Sequence, residues 1–232
     1  MIRTLSEYFI IFLIYSTMGW IYEVIGMLLV DHKFVNRGYL IGPYCPIYGC
    51  GALLMTFLLK DYIDKPVVLF ILIVVVCSIL EYTTSYLMEK IFKMRWWDYY
   101  KFKFNINGRV CLEILALFGA FGLFVMYIGN PFFFKVMDAR SDIFVYITSG
   151  CLLLVFIIDM IVSTRIIKKI NLVSTAAATK IKSNLSSASD KTEVITRMVF
   201  MTIKKSGDKW KKRIISSFPE LRIIKFKIKE KK

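Results

Sequence analysis

The chain contains a single histidine, His32, and no two of its five cysteines are spaced C-x-x-C. No recognisable zinc or dithiol motif is therefore present. Cys45, Cys50, Cys77, Cys111 and Cys151 lie mostly within apolar runs and read as small core residues, not as disulfide partners or ligands. His32, between Asp31 and Lys33, reads as solvated. No G-x-x-x-x-G-K-[ST] phosphate loop occurs in the 232 residues, which excludes an ATPase of that kind here. The hydrolase patterns H-E-x-x-H and G-x-S-x-G are missing too. No metal, cofactor or catalytic residue is expected. Charge is scarce within long stretches: from Tyr8 to Val30 the only ionisable acid or base is Glu23.

What fills the sequence instead is apolar. It is 57% hydrophobic and 16% aromatic, with mean hydropathy +0.59. Soluble domains carry about 45–50% apolar residues, and here they come in long runs. The expected fold class is all-α, a polytopic transmembrane bundle. Five spans are expected, at about 8–30, 42–59, 66–89, 110–129 and 143–163, each near the ~20 residues that cross a bilayer. Pro66 suits the first turn of a helix, and Asn130-Pro131 reads as a breaker pair ending the fourth span. The first run has no basic leader and no small-residue cleavage site, so no cleavable signal is expected.

Charge divides the chain in two. Residues 1–164 carry 13 Lys/Arg against 12 Asp/Glu, and residues 165–232 carry 19 against 5. A nearly neutral transmembrane domain, 1–164, is followed by a basic tail, 165–232. The tail reads as partly helical and cytoplasmic. Val194, Ile195, Met198, Val199 and Thr202 fall near helical spacing, Trp210 sits among basic residues, and Leu221–Lys229 alternates in part. Such a segment beside a membrane suits anionic lipid of the inner leaflet. No groove-reading or aromatic-platform motif supports nucleic-acid binding.

The first two apolar runs are joined by the stretch FVNRGYLIGPYCPIYGCG, Phe34–Gly51. Gly38, Gly42, Gly49 and Gly51 permit unusual backbone or close packing. Pro43 and Pro46 forbid regular helix around them. The stretch reads as an irregular entry into the second span, packed within protein, because non-helical backbone at membrane depth must be satisfied by protein or water. A tight interfacial turn would share this composition.

Basic residues set the orientation. Lys33, Arg37, Lys90, Lys93, Arg95, Lys101, Lys103, Arg109 and the tail belong to one set of segments, which the positive-inside rule places in the cytoplasm. The N-terminus is then outside and the C-terminus inside a bacterial cell membrane. Glu23, Glu81, Glu89, Glu113 and Asp159 all fall in the cytoplasmic half, Glu23 roughly 10 Å deep at ~1.5 Å per residue. A charge within a membrane costs at least ~2.5 kcal/mol, so it is paired or lines a cavity. Arg37 and Arg95 could reach Glu23, Glu81 or Glu89. Arg109 and Glu113 are spaced i,i+4 and could pair. The candidate polar network or substrate site comprises Trp20, Glu23, Asn36, Arg37, Tyr48, Glu81, Glu89, Arg95, Asp98, Asn105, Asn107, Arg109 and Glu113. Trp96 and Trp97 read as an interface belt. A faint repeat pairs Asn36-Arg37-Gly38 with Asn107-Gly108-Arg109, each in an inner loop followed by a glycine-bearing span.

Four motifs carry a resemblance: S-x-x-G-W-x-x-E at Ser16–Glu23, N-R-G-x-L-x-G-P-x-x-P-I-Y-G-x-G at Asn36–Gly51, L-E-Y at Leu80–Tyr82, and R-W-W-D-Y with N-x-N-G-R at Arg95–Arg109. Together, over about Ser16–Pro131, they resemble the type IV group of bacterial ABC-transporter permeases. The resemblance implies membrane transport, a separate ATPase subunit docked on the cytoplasmic loops, and an oligomer, five spans being few for a half-transporter. Two other functions fit the same residues. One is a membrane enzyme on lipid headgroups, with Glu23, Glu81, Glu89 and Asp98 around a divalent cation and Arg37, Arg95 and Arg109 around phosphate. The other is a non-transporting accessory or sensory protein whose ion pairs only hold the bundle.

Overall fold

A computed structural model of the chain describes residues 1–32, 34–92 and 94–181, together with 197, 201, 209, 222 and 223. Of the expected amphipathic helix around Val194–Thr202 only Arg197 and Met201 are described, both helical, and Trp210 lies outside the described residues.

The protein is mostly helical. Helix α1 spans Ile2–Asp31, α2 Pro46–Leu59 and α3 Pro66–Phe92. Two-residue strands follow, β1 at Met94–Arg95, β2 at Asn105–Ile106 and β3 at Val110–Cys111. Helix α4 spans Leu112–Phe124, α5 Asn130–Asp138 and α6 Asp142–Ile181. A further strand, β4 at Arg222–Ile223, pairs antiparallel with β1, Met94 opposite Ile223. Among the described residues four stretches are long and apolar enough to cross a membrane: Ile2–Leu29, Pro66–Phe92, Leu112–Asp138 and Asp142–Ile170. The chain is a multi-pass membrane protein.

The helices depart from the expected spans in three places. The second run becomes helical only at Pro46, which occupies the first turn, and its 14 residues are too few to cross a bilayer as helix. At ~1.5 Å per residue α2 is about 21 Å long, against roughly 30 Å of hydrocarbon. The fourth expected span began at 110 and ended at Asn130-Pro131. Residues 110–111 are strand instead, and the helix runs through the proline to Asp138. A π-turn at Val125–Gly129 makes this continuation feasible. Its wider hydrogen-bond ring breaks the i→i−4 ladder just before Pro131, where a missing N–H would otherwise be felt. Asn130 is buried there, accepting from Tyr15 Oη at 2.9 Å and donating to Thr56 Oγ1 at 2.9 Å. Finally, α6 continues past 163 without interruption, through the point where the composition turns basic.

Close packing explains two of the glycines. A Cβ on Gly19 would fall inside the ring of Tyr48, and one on Gly49 would strike Ser16 Oγ and the Phe12 carbonyl. The α1–α2 contact therefore depends on bare backbone from both helices. One apolar cluster, including Met55, Leu69, Ile73, Leu115 and Met126, joins α2, α3, α4 and the π-turn. A second joins Ile11 and Tyr15 of α1 to Ala52 and Val125.

The bundle has two unlike ends. At one, the start of α1 meets the α5–α6 connection: Arg3 bonds Glu7 at 2.8 Å, pairs with Asp142 and donates to the Met137 carbonyl. At the other lie the later halves of α1, α3 and α6, the 32–45 connection and the lobe at 94–111. Every acid singled out from the sequence is at this second end.

Candidate functional site

The connection before α2 folds onto α6. Asp159 accepts from Ile41 N at 3.0 Å, Gly42 N at 2.7 Å, Tyr44 Oη at 2.6 Å and Ser163 Oγ at 2.7 Å. Ile41 N is also within reach of Ser163 Oγ at 3.2 Å, and Tyr39 Oη shares a hydrogen bond with Thr164. Cys45 N donates to the Ser16 carbonyl at 2.9 Å, fixing the entry into α2 against α1. Leu40 is fully buried, and Gly38 has φ +131°, a backbone region that side chains disfavour. Pro43 lies on the exposed side, while Pro46 opens α2 and Gly51 packs near Leu80. The stretch is irregular backbone satisfied by protein, as its composition implied.

On α1, Glu23 takes two partners from this part of the chain. Arg37 Nη1 lies 2.7 Å from one oxygen and Tyr48 Oη donates to the other at 2.7 Å. One turn earlier, Trp20 Nε1 donates to Asn36 Oδ1 at 2.7 Å. The N-R of N-R-G is thus read by W-x-x-E of α1, since residues three apart share a helix face.

A second cluster forms beside α3. Glu89 accepts from Arg109 at 2.7 Å and lies 3.3 Å from Arg95 Nη2. Arg95 also approaches Asp98 at 3.6 Å. Arg109 is buried, donates to Ser85 Oγ at 3.1 Å and stacks over the rings of Tyr82 and Tyr86. The expected Arg109–Glu113 pair does not form. Asn107 and Gly108 adopt left-handed φ of 53° and 66°, the β2–β3 hairpin turns there, and Arg109 is carried back toward α3. Glu113 faces outward, exposed. Asn105 and Asn107 serve the hairpin: Asn105 accepts from Gly108 N and donates to the Phe102 carbonyl, while Asn107 donates to Tyr82 Oη.

Between the two clusters lies a cavity of about 560 Å³, lined by parts of α1, α2, α3, α4, α6 and the loops. Its wall is largely apolar and aromatic. The ionisable acids and bases that line it are Glu23, Arg37 and Glu81. Glu81 is 4% exposed. One of its oxygens accepts from Tyr99 Oη at 3.0 Å, and the other is buried without a hydrogen-bond partner among the described residues. Burial chiefly, then the Glu81 charge, raises the Tyr99 hydroxyl far above its usual range. The single network expected around Glu23, Glu81 and an arginine is therefore divided. Glu23 and Glu81 face one cavity, but Arg37 serves Glu23, and Arg95 serves Glu89 and Asp98. Nor do Glu23, Glu81, Glu89 and Asp98 gather as ligands: among the described residues no group of three or more such side chains could hold a metal ion. Trp96 is buried, Trp97 donates to the Arg109 carbonyl at 3.0 Å, and both line the cavity instead of forming a lipid-facing belt.

Sequence reasoning noted Asp159 but left it out of the candidate set, and it missed Tyr99, Ser85 and the Tyr15–Asn130–Thr56 chain. Asp159 had a signal in Ser163, one turn on within the same apolar run. Tyr99 had none beyond its place in R-W-W-D-Y.

Residues 10–164 match a family model described as "Putative ABC-transporter type IV". This range contains both clusters, the cavity and every candidate site residue. Neither a curated protein nor a solved structure matches the chain.

Proposed function

Because the chain belongs to this ABC-transporter type IV family, we propose that it is the membrane permease subunit of an ABC-type transporter, with ATP hydrolysis supplied by a separate subunit. The observation that supports this reading is the cavity: a space of about 560 Å³ between membrane helices that keeps Glu81 buried without a countercharge among the described residues. Ionisable groups at such positions are costly and mark pathways or binding sites. A bundle selected for stability alone gains nothing from this one.

The proposed topology has five crossings, formed by α1, α2, α3, α4–α5 and α6. Helix α2 covers only part of the bilayer, and the 38–45 backbone covers the rest, docked on Asp159 and shielded from lipid. Lys33, Arg37, Lys90, Arg95, Lys101, Lys103 and Arg109 put the cavity end in the cytoplasm of a bacterial cell, with the N-terminus outside. The basic tail binds anionic lipid of the inner leaflet, the ATPase docks on the 94–111 lobe, and the permease works as an oligomer.

The decisive experiment is affinity purification of the tagged chain from native membranes in mild detergent. An ATPase with a phosphate loop is expected in stoichiometric amount. Monodisperse protein that brings no ATPase from membranes of its own cell would remove the permease reading.

A further inference from the structure

We infer that the cavity takes a lipophilic organic cation, with Glu81 as its counter-charge. This names the cargo class of the permease and rests on that reading. Three observations lead here. The first is charge. Of the three ionisable acids and bases on the wall, Arg37 and Glu23 are matched to each other at 2.7 Å. Among the described residues Glu81 is left without a matched base. A lipophilic anion entering the cavity would meet it, and the one base on the described wall, Arg37, is already paired with Glu23.

The second is the state of the Glu81 carboxyl group. Tyr99 Oη donates to one oxygen, and the other is buried and unbonded. Buried carboxylate oxygens without a partner are rare in folded proteins and call for a ligand, an ion or a proton. The neighbouring arginines are committed elsewhere, Arg95 and Arg109 to Glu89. Among the described residues none completes Glu81, and a cation in the cavity would supply the missing partner charge.

The third is the wall. Tyr39, Phe92, Trp96, Trp97, Phe118 and Phe156 give it an aromatic surface. A hydrated metal ion or a sugar would lose its water there for little return. An organic cation with apolar substituents keeps dispersion contact on all sides and meets ring faces that attract positive charge. The volume suits such a ligand, since pockets for drug-sized molecules run to about 300–1,000 Å³. Arg37 Nε, a buried donor without a partner among the described residues, would suit an ether or carbonyl oxygen on the same molecule.

The test uses two ions of one shape and opposite charge, tetraphenylphosphonium and tetraphenylborate, titrated onto the purified full chain in a neutral detergent, with empty micelles subtracted. The phosphonium is expected to bind at least about tenfold more tightly than the borate. Glu81→Gln, shown to be folded by its melting temperature, is expected to bring the ratio within about twofold. The inference is overturned if wild-type protein binds both equally, prefers the borate or binds neither, or if the preference survives in folded Glu81→Gln. The wild-type comparison decides even if the variant does not fold. The two readings fail separately. Phosphonium binding to a chain that no ATPase accompanies would keep the ligand class and remove the permease. An ATPase partner without phosphonium binding would do the reverse.

Discussion

Asp159 and Glu81 are both buried acids on long apolar helices at the same end of the bundle, and they are built in opposite ways. Asp159 collects four donors, two of them backbone N–H groups of the 38–45 connection. Glu81 collects one, from Tyr99. A carboxylate that accepts several hydrogen bonds is stabilised as an ion and ties its donors together. A buried carboxylate with one donor retains most of its desolvation cost and stabilises little. The number of donors, more than burial or depth, separates an acid that builds the protein from one that waits for a ligand.

The comparison breaks most visibly at Asp159. Asp159→Ala should cost at least about 3 kcal/mol, because Gly42 N and Tyr44 Oη lose their acceptor inside the protein and Ile41 N keeps only the longer contact to Ser163 Oγ. Thermal unfolding in detergent and the amount accumulating in membranes measure this; a loss below about 1 kcal/mol would mean that the connection is held by something else. Arg109→Met comes next, at about 2–3 kcal/mol, less than the 3–5 of an isolated buried pair because Arg95 still faces Glu89. Unfolding of Arg109→Met in an Arg95→Met background should cost more than the sum of the two changes. Gly49→Ala should cost about 1–2 kcal/mol by forcing α2 away from Phe12 and Ser16. A larger probe such as Gly49→Leu should abolish accumulation. Glu81→Gln should have the smallest effect on stability, within about 1 kcal/mol of wild type or above it, since it removes a buried charge with one hydrogen bond. Paired with loss of transport in reconstituted vesicles, that result would sharpen the contrast; a destabilisation matching that of Asp159→Ala would erase it.

The sequence made some of this legible. Apolar runs located the starts of α3 and α6 to within about one residue, with Pro66 marking the opening of α3, whereas α1 begins about six residues before the expected span. The segregation of acids at one end followed from counting residues from the loops. The character of the 34–51 stretch followed from its glycines and prolines, because those residues limit backbone conformation locally. What escaped was mostly non-local. The acceptor for Ile41 and Gly42 is more than a hundred residues away. The partner of Arg109 is on α3, not four residues on at Glu113, because Arg109 lies in the β2–β3 turn and not on a helix. Asn107-Gly108 is itself a recognised turn signal, and reading it as such would have excluded the Arg109–Glu113 pair. The π-turn has no sequence mark beyond the proline it precedes, which reads equally well as a stop.

The bond between Asp159 and the 38–45 connection also orders the protein's assembly in time. The two partners are separated in sequence by 118 residues at Ile41. A nascent chain that has emitted α1, α2, α3 and α4 still has the N–H groups of Ile41 and Gly42 unmet, and contacts of such separation form late because a long loop must close first. Until α6 enters the bilayer, those two N–H groups lack the Asp159 carboxylate. Helix α6 is thus the latch on the 38–45 connection. A ribosome stalled before Asp159 would leave behind a chain that is inserted but not closed, and membrane proteases would meet it in that state.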